Sequence, residues 1–142
     1  MTIFLSTPIS CFDNTEELIA YKKSITQLIK CLKEKYFVYS EIEKIYNEAD
    51  YDTPEKSIEI DLQLINKSEV FILHYPKAVP TSALIELGVA ISLKKRIIII
   101  SPSLKMLPYL ALGINSISPK SFFIETTRID HEVIEEIITK LN

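Results

Sequence analysis

Residues 69–101 read EVFILHYPKAVPTSALIELGVAISLKKRIIIIS. Glu69 to Tyr75 is a short run rich in β-branched and aromatic residues, the composition of a buried strand. Pro76 to Pro80 is a loop. Thr81 or Ser82 then caps a helix that is apolar almost all round to Leu93. Lys94, Lys95 and Arg96 fall where that helix should end, and the helix dipole favours cations there. Arg96 to Ser101 is a second strand, apolar on both faces. Strands of this kind, joined by a helix, belong to a parallel sheet covered on both sides.

The flanking sequence repeats the alternation. Thr2 to Ser6 is a short apolar strand ended by Thr7-Pro8. Asn14 as N-cap with Glu17 at the capping-box position opens a helix, and Leu18, Tyr21, Ile25, Leu28, Ile29 and Leu32 carry it to about Lys35. Phe37 to Ser40 is a weaker strand. Glu43 to Asp52 is a charged loop or short helix. Thr53-Pro54 starts a helix with an Ile58, Leu62 and Ile65 stripe, ending near Lys67. Met106 to Leu112 is a short helix interrupted by Pro108, and Ser121 to Glu125 is the last strand. Ile129 to Leu141 is an amphipathic helix with Val133, Ile134, Ile137, Ile138 and Leu141 on one face. No repeat or linker divides the chain, so residues 1–142 are expected to form one α/β domain. Right-handed crossovers favour a doubly wound, five-stranded parallel sheet of order 2-1-3-4-5 with helices on both faces.

Composition narrows the function. The chain has 142 residues and only two glycines, against about ten at average usage. Gly88 and Gly113 lie too far apart to build either glycine-rich phosphate motif. The net charge of −3 gives no strong nucleic-acid signal. Cys11 and Cys31 make no disulfide framework, and with His74 and His131 they show no metal-ligand spacing. No G-x-S-x-G elbow is present. Met1 to Pro8 lacks the features of a signal peptide, and runs such as Ile97–Ile100 are far short of the roughly 20 residues that span a bilayer. A soluble, reduced, cytoplasmic protein without a membrane partner is expected.

In such a sheet a ligand sits beyond the C-terminal strand ends, at the point where strand order reverses. Here that point lies between the first and third strands, walled by Ser6–Asp13 and by His74–Glu86. Ser6, Thr7, Thr81 and Ser82 offer hydroxyls there. Ser82 and Glu86 share a helix face. A partly buried Glu86 near the helix start could attack an anomeric carbon, as the second carboxylate of retaining glycosidases does. It could equally lie at the helix's exposed edge or cap a neighbouring loop. Asp61, on the inward stripe of its helix, either positions a ligand or reaches solvent at the stripe's edge. His74, at a strand end, is a crevice residue or a simply hydrogen-bonded one. Tyr36, Tyr39, Tyr46 and Tyr51 either stack on a base or fill core edges.

These residues carry a resemblance. IFLSTPIS at 3–10, DLQLINKSEVFI at 61–72, and Ser82-x-x-x-Glu86-Leu-Gly88-x-Ala90 before KKRIIII resemble nucleoside 2-deoxyribosyltransferases. They are also similar to N-glycosidase relatives and to TIR-like domains. The likeness spans roughly residues 2 to 125. It implies a flavodoxin-like fold and a catalytic glutamate, matched by Glu86, that attacks C1′ and displaces a base. It also implies an acid on the base side of the pocket, matched by Asp61, and a contact from Ser82 to sugar or phosphate. Ser6 and Pro8 match the loop after the first strand. Many members carry glycine two residues before the Glu and an acid six before it, where this chain has Leu84 and Pro80. The implied activity is cleavage or transfer at the N-glycosidic bond of a nucleoside or nucleotide. Alternatives are a TIR-like NAD hydrolase of antiphage defence and a non-catalytic nucleotide-sensing or oligomerising module. No cofactor is called for, with NAD entering only as a substrate. Gly88 is expected to let its helix pack against the sheet. The apolar third helix and Met106–Leu112 carry more hydrophobic surface than one domain buries, which predicts a homo-oligomer.

Overall fold

The computed structural model describes the backbone of residues 1–142 and every side chain except that of Glu48. Five strands form one all-parallel sheet of order β2-β1-β3-β4-β5. They are β1 (Thr2–Ser6), β2 (Phe37–Ser40), β3 (Val70–His74), β4 (Arg96–Ser101) and β5 (Phe122–Glu125). The α-helices are α1 (Thr15–Lys33), α2 (Pro54–Lys67), α3 (Ser82–Ser92) and α4 (His131–Leu141). The expected strand order and the helices on both faces are observed. No helix among the described residues is long and apolar enough to cross a membrane.

Strand side chains alternate between the two faces, as the period of two requires. Ile3, Leu5, Val70, Ile72, Ile98 and Ile100 pack with Leu28, Leu32 and Ile137 of α1 and α4. Phe4, Phe71, Leu73, Ile97 and Ile99 pack with Ile65 of α2 and Ala83, Leu87 and Ala90 of α3. This explains why β3 and β4 are apolar without interruption: both of their faces are covered.

The helix starts follow their caps. Asn14 Oδ1 accepts from the Glu17 amide at 2.8 Å, and Glu17 Oε2 accepts from the Asp13 amide at 2.9 Å. Thr53 and Asp130 cap α2 and α4 in the same manner. Pro108 offers no N–H, so the apolar stretch after β4 divides into two 3-10 segments, Leu104–Met106 and Tyr109–Ser116. Glu41–Lys44 and Glu48–Asp50 are likewise short 3-10 segments. Lys94 turns the chain out of α3 with φ 52°, the left-handed position that helices most often give to glycine.

Gly88 corrects an expectation. It is exposed on α3, and a Cβ built there meets nothing within 4 Å. It does not mediate packing against the sheet, which Leu87 and Ala90 provide. Gly88→Ala is therefore expected to raise stability by about 0.5–1 kcal/mol, the ordinary helix-interior difference. Chemical denaturation of the two proteins measures it.

Candidate active site

At the C-terminal edge of the sheet, the end of β1, the chain after β2, and helices α2 and α3 enclose a cavity of about 370 Å³. Ile9, Ile45, Ile58, Leu62 and Ile85 supply apolar wall, and Thr7, Ser10, Tyr51, Thr81 and Ser82 supply polar groups. The α2 stripe differs from its sequence reading. Only Ile65 is fully buried, whereas Ile58 and Leu62 are 54% and 42% exposed. The first half of α2 turns its apolar side to the cavity, and only its end reaches the sheet.

Three carboxylates converge in this cavity. Glu86 comes from α3, Asp61 from α2, and Glu41 from the residue that follows β2. One oxygen from each lies within 4.8 Å of the others. Ser6, the last residue of β1, points to the same face as Phe4, and its hydroxyl donates to Glu86 Oε2. Ser6 is itself buried, so this bond orients the carboxylate from beneath.

Burial is the largest influence on all three acids, because it disfavours the charged form. Glu86 is pushed up to about 8, by burial first and also by the charges of Asp61 and Glu41, with the Ser6 hydroxyl acting in the opposite direction. Asp61 is raised by burial and lowered by its hydrogen bond with Glu86. Glu41 is raised by burial, then by Asp61 and Asp52, with Lys44 opposing. Like charges this close cannot all ionise, so at neutral pH the trio retains protons it can donate. The same oxygen donors are of the type that a hard divalent cation takes.

Of the residues singled out from sequence, Glu86, Asp61, Ser82 and Ser6 are brought together. Pro8 is buried, and its neighbours Thr7 and Ile9 form the wall. His74 is not brought in. It shares a strand face with Val70 and Ile72, so its ring points to α1, on the opposite side of the sheet from Glu86. There it stacks on Tyr21 at 5.6 Å, with Nδ1 2.7 Å from the Tyr21 hydroxyl. Burial pushes the Tyr21 hydroxyl well above its ordinary range, so it keeps its proton and donates to Nδ1. Of the tyrosines, Tyr51 lines the cavity, Tyr46 carries Lys22 Nζ 3.4 Å over its ring, Tyr39 packs at a core edge, and Tyr36 donates to Asn142 Oδ1.

Burial also holds His74 down at about 4, below the ordinary 6.5. A histidine lowered on folding contributes stability above its unfolded pKa, and that contribution is lost as pH falls through the folded one. The protein is therefore expected to lose roughly 2–3 kcal/mol between about pH 6.5 and 4 through this residue. His74→Gln should flatten that part of a melting-temperature profile, whereas an unchanged slope would remove His74 from the account.

Glu41 was not singled out from sequence. Its position in the chain order held the clue: β2 pairs with β1, so the residue after β2 emerges at the same sheet edge as Ser6. The sequence pattern had placed only the loops after β1 and β3 at the crevice.

No family model matches the chain, and comparison with curated proteins finds no match. Several solved structures are similar to it. The CMP N-glycosidase BcmB of Clostridium botulinum superposes with a TM-score of 0.69 at 22% identity, covering 99% of this chain and 98% of that one. BlsM gives 0.71 at 17% identity, over 99% and 94%. A 2-deoxyribosyltransferase from the psychrotolerant bacterium Bacillus psychrosaccharolyticus gives 0.61 at 19% identity, over 94% and 96%. At these identities the likeness is one of fold: the sheet order and helices are those of a flavodoxin-like domain, as the sequence resemblance implied.

Proposed function

We propose that this protein cleaves or transfers at the N-glycosidic bond of a nucleoside or nucleotide, with Glu86 as the nucleophile. The observation that carries the reading is the pairing of Glu86 with Asp61 over the buried Ser6 hydroxyl, inside a cavity at the fold's switch point. The likeness to solved structures whose names specify N-glycosidase and deoxyribosyltransferase activity supports it. The cavity of about 370 Å³ lies at the low end of ligand sites, which span roughly 300–1,000 Å³.

The chemistry follows from the trio. An ionised Glu86 oxygen forms a bond to C1′ while the C1′–N bond breaks. Glu86 reaches that state by passing its proton across the hydrogen bond to Asp61; the electron pair goes to the base, and a neutral base takes that proton from the Asp61 carboxyl as it leaves. Water or a second base then attacks C1′ and releases Glu86. The test is incubation with deoxynucleosides, nucleoside monophosphates and NAD, with detection of free base. A nucleotide that raises the melting temperature without any base release would favour a sensing module instead, because binding alone stabilises.

The chain is also proposed to form a homo-oligomer. Ile85 on α3 is 65% exposed, and Tyr109 and Leu110 in the segment after β4 are 86% and 83% exposed. Apolar side chains this open are the kind a partner covers. Light scattering is expected to give at least twice the chain mass, and a monomer at micromolar concentration would reject the assignment.

A further inference from the structure

Every strand of the sheet is entered at one edge, opposite the cavity. The registers bring those entries nearly level: Thr2 pairs with Phe37, Ile3 with Val70, Val70 with Arg96, and Ile98 with Phe122. Lysine precedes four of the five entries: Lys35 before β2, Lys67 before β3, Lys94 and Lys95 before β4, and Lys120 before β5. With strands about 4.8 Å apart, the row spans roughly 20 Å.

Lys95 Nζ donates to the Asn66 carbonyl, and Arg96 donates to the carbonyls of Lys120, Lys140 and Leu141. Lys35, Lys67, Lys94 and Lys120 are exposed, and among the described residues their ammonium groups have no ion pair or hydrogen bond. The acidic side chains at this edge are Glu34 and Glu69, and the Met1 amine approaches Glu69 to 3.9 Å. Helix dipoles favour the lysines after α1, α2 and α3. Lys120 instead follows a 3-10 segment, and Lys94 holds φ 52°, a backbone that glycine adopts at lower cost.

Exposed apolar side chains stand in the same row: Met1 before β1, Phe37 at the head of β2, and Leu93 beside Lys94. A nucleic-acid backbone gives Met1 and Leu93 nothing to contact, and Tyr36, a second ring for stacking, is engaged with Asn142. A lipid headgroup layer takes both kinds of group. Lysines meet anionic lipid, and apolar side chains enter the boundary with the acyl chains.

We propose that this edge docks on an anionic membrane surface, with the cavity turned toward the water. The chain as a whole carries a net charge of −3. Glu41, Asp52, Asp61 and Glu86 lie at the far edge, so an anionic surface attracts one end of the molecule and repels the other. No helix among the described residues is long and apolar enough to cross the bilayer, so the contact is one of surface, not of span.

The test is sedimentation of the full chain with phosphatidylcholine vesicles, with and without phosphatidylserine. The expected result is at least about tenfold more bound protein with phosphatidylserine at about 0.05 M salt, and loss of most of that gain at about 0.5 M, where the Debye length is shorter. Joint Lys67→Glu and Lys94→Glu should abolish the gain, and Phe37→Ser should reduce it about threefold or more. Joint Lys105→Glu and Arg128→Glu make the same charge change at the cavity edge and should preserve it. Melting temperatures verify that each variant is folded. Equal binding with and without phosphatidylserine, equal losses in the two charge-reversed proteins, or binding of single-stranded RNA or duplex DNA in place of vesicles would overturn the proposal. None of these outcomes bears on base release at Glu86, which is measured separately.

Discussion

Glu86→Gln is expected to lower base release by about a thousandfold or more, the usual scale for removing a nucleophile. The amide keeps the shape of the carboxylate and can still accept from the Ser6 hydroxyl, so α3 and the cavity wall are retained. What it removes is the charge that attacks C1′. In the parent, kcat/KM for bases that leave only when protonated should fall as pH rises through about 8, because the proton shared by Glu86 and Asp61 is then lost. Asp61→Asn should lose less, on the order of ten- to a hundredfold, the range of a lost proton donor. Its loss should be greatest for bases that leave only when protonated. If Glu86→Gln releases base as fast as the parent, another group makes the bond to C1′. If Asp61→Asn is the more damaging, the roles of the two acids are reversed.

The fold was legible because its strongest signals are redundant. Val70–His74 and Arg96–Ser101 are apolar on both faces, and only a central parallel strand needs that. Asn14, Thr53 and Thr81 marked helix starts through the same side-chain acceptors that the structure shows capping amides. The less legible parts are those where tertiary contacts outweigh local pattern. The α2 stripe reads as core, yet half of it faces the cavity, because a helical periodicity does not say what its apolar side meets.

The site was legible where the carboxylate lay in an apolar setting. Glu86 is the one acid in α3, and Asp61 interrupts the α2 stripe, so each needed an explanation that burial beside a partner provides. His74 shows the limit of reading position without parity. It ends β3 at the correct edge of the sheet, but an even step from Val70 and Ile72 turns it to α1. Ser6, an even step from Phe4, faces the cavity for the same reason. Glu41 stayed hidden because its significance depends on β2 lying beside β1, a relation between segments far apart in the chain.

The carboxylate trio also sets how stability responds to alkali. Glu86 is held at about 8 against an ordinary 4.5. A carboxyl raised on folding contributes stability that is fully present below the unfolded value and lost as pH rises through the folded one. The parent should therefore weaken between about pH 5 and 9, as Glu86 ionises beside Asp61 and Glu41. A tenfold change in proton affinity corresponds to about 1.4 kcal/mol, and allowing for relaxation and water entry the loss is about 3 kcal/mol. Glu86→Gln carries no titrating proton at that position. It is expected to match the parent near pH 5 and to exceed it at about pH 9 by roughly ten degrees in melting temperature, at about 2–4 °C per kcal/mol for a chain of this size. A variant that is both inactive and more alkali-stable than the parent would fit a site where function is maintained at the expense of stability. Equal melting profiles for the two proteins at high pH would mean that the three carboxylates are solvated well enough to ionise independently, and the proton reservoir assigned to them would then be absent.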